Sequence, residues 1–204
     1  MDDRRRLLAN GCFPSNYLFK SGLGFRKDVE YALTSTSPDT CNITKDRIYL
    51  EGKKDSVTNV ESSGIIYIGS KIEYDQYKYG SITYERLLSN PILNENFNKI
   101  CFHFNVVQSN NTRSAFINLI NCSNLPNSRI VKNQSSTPSY KPTYPSNAQY
   151  YYSPNAVNNL LGVTTADGEY TISLDISTIN DIMISLWSGN YQTRSLTIYD
   201  IWFE

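Results

Sequence analysis

The sequence predicts an all-β protein: an antiparallel two-sheet β-sandwich, with the jelly roll as the favoured form, preceded by a short N-terminal appendage. Apolar and polar residues alternate with the period of two that is typical of half-buried strands, most clearly over 99–107 and 170–177. Turn residues recur about every ten positions, as in sandwiches. Helical periodicity is nearly absent, so we expect less than about a tenth of the residues in helices.

Composition excludes several classes of partner. Lys plus Arg and Asp plus Glu both number 19 in 204 residues, so no net field attracts nucleic acid or an anionic membrane surface. No run of about 18 apolar residues is present to span a bilayer. We therefore expect no nucleic-acid partner and no membrane insertion.

The N-terminal residues predict an arm, 1–25, that packs on or leads into a sandwich domain of residues 26–204. Arg4, Arg5 and Arg6 are followed by only three apolar residues, whereas a secretory signal needs about 7–15. This predicts synthesis in the cytoplasm without a signal peptide. The charged run is either a solvated tail or a docking peptide for a larger assembly.

The strands follow in order, with polar or Gly-containing breaks between them. They are predicted at 29–34, 47–51, 64–69, 99–107, 114–122, 170–177, 182–187 and 195–203. We expect 99–107 and 114–122 to pair as a hairpin and 53–63 to be a polar loop. Glu85–Leu88 predicts a helical turn that ends before Pro91.

The last predicted strand is apolar on both faces. Leu196 and Ile198 share a face with Trp202, while Ile201 and Phe203 lie on the other. Such a strand is covered on two sides or carries a β-bulge. We expect the aromatic segment Phe13–Phe25 to provide the cover, which would leave Trp202 fully buried.

A stretch rich in Tyr and Pro, 133–159, interrupts the strand pattern. It holds half of the eight Pro, and this predicts a long loop that cannot form ladder strands. Tyr rings stack on the apolar faces of sugars, so the loop is the first candidate for ligand binding. The candidate residues are Tyr140, Tyr144, Tyr150, Tyr151 and Tyr152, with Trp187 and Tyr191 as a second, weaker group. Alternatively, these rings only pack within the protein or against a neighbouring protomer.

No metal site or cofactor is predicted. Cys12, Cys41, Cys101 and Cys122 have no CxxC spacing, and one His cannot complete a recognisable zinc site, so four free thiols are expected. Calcium remains an alternative because Asp39, Asp46 and Asp55 stand near turns, although no Asp-x-Asp-x-Asp loop is present.

No catalytic residue is predicted either. His103 lies in mid-strand and is expected to be a satisfied core or sheet-face residue. Asp175 and Asp200 could form a glycosidase pair, which needs a cleft and a defined separation, but solvation on the strand surface is the expected state.

The C-terminal strands carry a resemblance. Tyr170–Ser177, the strand that ends in Trp187-Ser-Gly, and Ser195–Glu204 resemble the end of carbohydrate-binding-like jelly rolls in tail-fibre or baseplate-type structural proteins of phages and prophages from Gram-positive bacteria. Arg47–Gly52, Glu85–Leu88, Lys99–Phe104 and the opening Met1–Leu8 are also similar. The resemblance implies an adsorption or virion-structural role, usually in a trimer, and it assigns no ligand contact.

Two hypotheses therefore remain open. The first is a non-catalytic module that binds a cell-surface glycan or receptor in an adsorption structure. The second is an oligomeric virion or surface subunit that binds no glycan. A glycoside-acting hydrolase is a third, less favoured alternative.

Overall fold

We describe a computed structural model. It describes residues 13–33, 41–54, 57, 61–62, 64–79, 82–89, 92–94, 96–108, 116–121, 128–132, 149–151, 161–162, 167–178, 181–188 and 194–204. Within these ranges the regular structure is entirely β, which confirms the predicted fold class. No helix in these ranges is long and apolar enough to cross a membrane.

The strands are numbered in chain order. They are β1 Tyr17–Lys20, β2 Gly24–Phe25, β3 Tyr31–Leu33, β4 Cys41–Ile43, β5 Ile48–Lys54, β6 Glu61–Ser62, β7 Ile65–Ile68, β8 Ser70–Tyr79, β9 Ile82–Ser89, β10 Ile92–Leu93, β11 Lys99–Gln108, β12 Phe116–Asn121, β13 Ser128–Lys132, β14 Gln149–Tyr151, β15 Leu161–Gly162, β16 Gly168–Asp175, β17 Asp181–Trp187 and β18 Arg194–Phe203.

Two antiparallel sheets form the sandwich. In the eight-stranded front sheet β18 pairs with β11, and β11 pairs with β16; β5 and then β1 follow along the other edge of β18. Strands β2, β4 and β6 extend this sheet beyond β1 and β5. The six-stranded back sheet has the order β15-β12-β17-β7-β3, with β10 also paired to β17.

The core lies between these sheets because each presents one apolar face. From the front sheet β11 contributes Ile100, Phe102 and Phe104, which are at most 1% exposed. From the back sheet β17 contributes Ile182 and its alternate neighbours Ile184 and Leu186, and one cluster of buried residues includes all six. The strands predicted at 99–107 and 182–187 are therefore confirmed.

Several successive strands alternate between the two sheets, as in jelly rolls. Strands β16, β17 and β18 lie in the front, back and front sheets, and β11 and β12 also lie in different sheets. The predicted hairpin of 99–107 with 114–122 is therefore wrong. Both edges of β11 are occupied by β16 and β18, and β12 pairs instead with β15 and β17.

A β-bulge in β18 explains its doubled apolar pattern. His103 pairs with Asp200 and Phe104 pairs with Ile198, so Tyr199 is an extra residue. The extra residue reverses the alternation, and both Ile198 and Ile201 face the core with no exposed surface. Of the two predicted explanations, the bulge is correct.

The N-terminal aromatic segment lies beside the C-terminal strand, but it does not cover it. Strand β1 pairs edge to edge with β18, with Tyr17 opposite Trp202. Trp202 is half-buried on the outer face of the front sheet, so the prediction that it is fully buried is wrong. The boundary predicted between residues 25 and 26 stays a prediction.

A third sheet, of order β14-β13-β9-β8, corrects two further predictions. The helical turn predicted at Glu85–Leu88 is part of β9, because pairing with β8 and β13 outweighs local helical preference. Within the stretch 133–159, β14 forms a short ladder parallel to β13. Its three residues contain no Pro, so the argument from Pro does not reach them.

The polar loop predicted at 53–63 is also shorter than expected. Strand β5 continues to Lys54, and β6 pairs with its end through Lys53 and Ser62.

Candidate functional site

The outer face of the front sheet carries the clearest arrangement of polar groups. Because Phe102 and Phe104 of β11 face the core, the intervening His103 faces outward. The bulge at Tyr199 then places Asp200 directly opposite His103 on the neighbouring strand.

Four side chains on four adjacent strands form a continuous polar row: Lys20 on β1, Asp200 on β18, His103 on β11 and Glu169 on β16. Lys20 Nζ lies 3.0 Å from Asp200 Oδ1. His103 Nδ1 lies 3.2 Å from Asp200 Oδ2, and its Nε2 lies 2.6 Å from Glu169 Oε1. Neighbouring strands are about 4.8 Å apart, so the polar row crosses the sheet over roughly 14 Å.

An aromatic pair adjoins the Lys20 end of the polar row. The rings of Tyr17 and Trp202 stack with centroids 5.8 Å apart and an interplanar angle of 22°. Lys20 Nζ lies 4.7 Å from the centroid of the Tyr17 ring, so the same ammonium group contacts the aromatic pair and the polar row. Trp202 Nε1 donates to Glu204 Oε1 at 2.9 Å. Both rings are half-buried, so part of each is open to solvent.

The surroundings of His103 favour its protonated form. Burial of the ring lowers the pKa, but the hydrogen bonds to Glu169 and Asp200 outweigh burial and raise it above its usual value. Tyr199 packs beside the imidazole, with ring centroids 5.1 Å apart. His103 is therefore a satisfied sheet-face residue, one of the two placements that the sequence left open.

The two cysteines that the structure describes are free thiols. Burial raises the pKa of Cys41 to about 12. Cys101 is 2% exposed, and burial is the largest cause that raises its pKa as well. A thiol with a raised pKa is a poor nucleophile, so neither suits covalent catalysis. Cys12 and Cys122 lie outside the described residues.

The described residues hold no group of three or more His, Cys, Asp or Glu arranged for a metal ion. Of the calcium candidates, Asp46 is exposed in a turn where its backbone N–H donates to Thr44 Oγ1, while Asp39 and Asp55 lie outside the described residues. Calcium binding stays an untested alternative.

The possible carboxylate pair of Asp175 and Asp200 is not formed. Asp175 is opposite Lys99 on β11, whereas Asp200 is opposite His103, four residues further along. That offset alone is about 13 Å along the strand, beyond the separation that glycosidases use. Asp175 instead accepts from the backbone N–H of Ser177, which lowers its pKa.

The sequence-predicted ligand residues remain predictions. Tyr150 and Tyr151 lie in β14, and Trp187 is the last residue of β17, where its backbone is opposite Phe116 and Ile65. Tyr140, Tyr144, Tyr152 and Tyr191 lie outside the described residues. The backbones of Tyr150, Tyr151 and Trp187 therefore belong to the third sheet and the back sheet rather than to the front sheet.

Sequence reasoning considered His103 and Asp200 separately, but it did not bring them together and it missed Lys20 and Glu169. The alternation in β11 and β16 signals that His103 and Glu169 are outward residues, but it does not identify their partners. Lys20 and Asp200 are 180 positions apart, and only the pairing of β1 with β18 joins them. No local pattern could have found that contact.

No protein-family model and no curated protein matches this chain. Solved structures of similar fold include a family 29 carbohydrate-binding module, with a TM-score of 0.37 and 10% identity over 92% of this chain and 86% of that one. A family 29 module from Piromyces equi has a TM-score of 0.30 and 9% identity over 86% and 90% of the two chains. A non-crystalline cellulose specific module of family 28 has a TM-score of 0.34 and 10% identity over 92% of each chain.

Proposed function

We propose that this protein is a non-catalytic glycan-binding module whose ligand lies on the outer face of the front sheet. The observation that carries the proposal is the contact of Lys20 with both the aromatic pair and the polar row. This contact makes one continuous surface from two kinds of group. Aromatic rings and fixed hydrogen-bonding groups are the two features that a sugar needs.

Each part of the surface matches one part of a sugar. The exposed portions of Tyr17 and Trp202 can pack against the apolar face of a pyranose ring. The carboxylates of Asp200 and Glu169 can accept hydrogen bonds from sugar hydroxyls, because each has more acceptor sites than its protein partners use. Lys20 supplies a charged donor beside them.

The charges of the surface favour a glycan without acidic groups. Glu169, Asp200 and Glu204 place three carboxylates around the polar row and the aromatic pair, whereas Lys20 and His103 provide two cationic groups at most. A uronic acid or another anionic sugar would lie against these carboxylates, and like charges at close range oppose binding.

The same contacts argue against hydrolysis at this face. A glycosidase needs two carboxyl groups with space between them for the scissile bond or a water molecule. Here the imidazole of His103 occupies the space between Asp200 and Glu169, because it contacts both of them.

The setting implied by the sequence resemblance is part of the proposal. We propose that the module acts in a phage or prophage adsorption structure, as a homo-oligomer, with a trimer as the expected size. Light scattering of the purified protein measures the mass of the oligomer in solution. An oligomer that binds no glycan would favour the alternative of a structural subunit.

Affinity electrophoresis against a panel of polysaccharides tests binding directly. The panel contains non-crystalline cellulose, agarose, a soluble mannan and polygalacturonate as the acidic member. We expect retardation by at least one neutral polysaccharide and none by polygalacturonate. Addition of the chelator EDTA should not change the retardation by the neutral polysaccharide. A loss of retardation would instead support a bound calcium ion.

Variants locate the binding surface. Trp202→Ala should weaken binding roughly tenfold, which corresponds to about 1.4 kcal/mol. Tyr31→Ala is the matched control, because Tyr31 is an aromatic residue that is 40% exposed on the back sheet. Equal losses in both variants, or no neutral polysaccharide bound at all, would overturn the proposal.

A further inference from the structure

The single histidine of this chain contacts a carboxylate with each of its ring nitrogens. A neutral imidazole carries only one N–H, so one nitrogen would present a lone pair to a carboxylate oxygen. The imidazolium ion donates from both nitrogens and satisfies both contacts. Both contacts are therefore satisfied at the same time only when His103 is protonated.

The two carboxylates are held very differently. Asp200 is 15% exposed, and its Oδ1 also accepts from Lys20 Nζ and from the backbone N–H of Ser21. Glu169 is 62% exposed, and among the residues that the structure describes it is the contact with His103 that positions it on the face. We therefore expect the remaining N–H of neutral His103 to stay with the more buried Asp200, so that Glu169 is the partner that turns toward water.

We propose that His103 is a proton-operated positioning residue of this face, which holds Glu169 in place when protonated and releases it when neutral, so that glycan binding weakens as the pH rises. The release of Glu169 is inferred from its exposure and from the two further donors that hold Asp200. Its effect on binding rests on the proposed function.

Several titratable or charged groups surround the imidazole. They are Glu169 of β16, Asp200 and the Tyr199 ring of β18, and Lys20 of β1, which reaches the ring only through Asp200. On β11 itself Cys101 lies two residues from His103, and Lys99 lies four residues away, about 13 Å along the strand. The raised pKa of His103 agrees with the two carboxylate contacts. Lys20 is bonded to Asp200 rather than to the imidazole, so it does not replace the proton that His103 loses.

Release of Glu169 should weaken binding for two reasons. A fixed carboxylate accepts a sugar hydroxyl without first losing side-chain freedom, whereas a free one must be ordered again on binding. The face also becomes more negative by one charge. We expect affinity to fall about three- to tenfold, the range that a contact of ordinary strength produces.

Nuclear magnetic resonance tests the positioning without any ligand, because the one histidine gives one imidazole signal. We expect its pKa to lie above 6.5 in the wild-type protein and to fall in both Glu169→Gln and Asp200→Asn. Asp28→Asn is the control, because it removes a carboxylate that pairs with Arg26 instead. A wild-type pKa at or below 6.5, or one that Glu169→Gln does not move, would overturn the positioning role.

The pH dependence of binding tests the consequence. The affinity for whichever neutral polysaccharide of the panel binds best is measured between pH 5.5 and 8.5, a range chosen around the usual pKa of about 6.5. The wild-type affinity should fall through the measured pKa of His103, and His103→Gln should show no such fall. The same profile in both proteins would overturn the coupling.

If no polysaccharide of the panel binds at any pH, the coupling fails together with the proposed function. The titration of His103 then decides the positioning role by itself, so the two failures are distinguishable.

Discussion

His103 and Asp200 lie directly opposite each other on β11 and β18, with His103 Nδ1 3.2 Å from Asp200 Oδ2. They meet because Tyr199 is an extra residue in β18. Without that bulge, Asp200 would share the inward face of Ile198, and a carboxylate would be buried in an apolar core. The bulge therefore allows one strand to fill the core and to supply the polar row.

The first prediction concerns stability and pH. The pKa of His103 is raised in the folded state, so protonated His103 stabilises the folded protein. This stabilisation is fully present below the unfolded pKa of about 6.5, and it is lost as the pH rises through the folded pKa. We expect the free energy of unfolding, measured by urea titration, to be lower at pH 8.5 than at pH 6, by at most about 1 kcal/mol.

The matched variant for this prediction is His103→Gln, which removes the titrating group. The free energy of unfolding of this variant should change less between pH 6 and pH 8.5 than that of the wild type. An increase in wild-type stability between pH 6 and pH 8.5 that His103→Gln lacks would contradict the sign of the shift.

Much of the fold could be predicted from local patterns. The alternation over 99–107 predicts that Phe102 and Phe104 share one apolar face, because the side-chain period of a strand is fixed by its backbone. The doubled apolar pattern of the last strand predicts either a cover on two sides or a bulge, and the structure has the bulge. These inferences succeed because they need only the residues of one strand.

The partners of each strand could not be predicted, because they depend on residues far apart in sequence. The sequence predicts that residues 114–122 pair with 99–107 as a hairpin. In the structure β12 lies in the back sheet, where it pairs with β17, and β18 pairs with β11. The same limit explains why the polar row was missed. A contact between Lys20 and Asp200 requires the complete order of the front sheet.

The second prediction tests the core. Phe102 is fully buried on β11, between the two strands that flank it. Phe102→Ala should lower the free energy of unfolding by about 3–5 kcal/mol, because it removes a buried ring and leaves a cavity. Val107→Ala is the control on the same strand, since Val107 is 46% exposed and should change stability by about 0.5 kcal/mol or less.

The third prediction concerns the aromatic pair. Trp202 is half-buried and stacks on Tyr17, so Trp202→Ala should cost about 1–2 kcal/mol of stability and leave the protein folded. A double-mutant cycle with Tyr17→Ala should give a coupling of about 0.5–1.5 kcal/mol. A cost of about 3–5 kcal/mol for Trp202→Ala alone would indicate full burial instead, as first expected from the sequence.

The last prediction is that removal of residues 198–204 abolishes folding. These residues form the half of β18 that pairs with β1 and with the first residues of β11. They also contribute Ile198, Ile201 and Phe203 to the core, where Phe203 stacks on Phe97 at 5.1 Å. Each fully buried apolar side chain of this size contributes about 1.5–3 kcal/mol, so the combined loss approaches the whole stability of a typical domain.

Circular dichroism and the dispersion of amide signals measure this outcome, with the truncated chain expected to lack both the β signal and resolved resonances. The triple substitution Ile198→Ala, Ile201→Ala and Phe203→Ala keeps the backbone of β18 and removes only the core side chains. If that variant also unfolds, the burial of these side chains is sufficient to explain the effect. A truncated chain that keeps cooperative unfolding would show instead that β11 and β16 hold the front sheet without this half of β18.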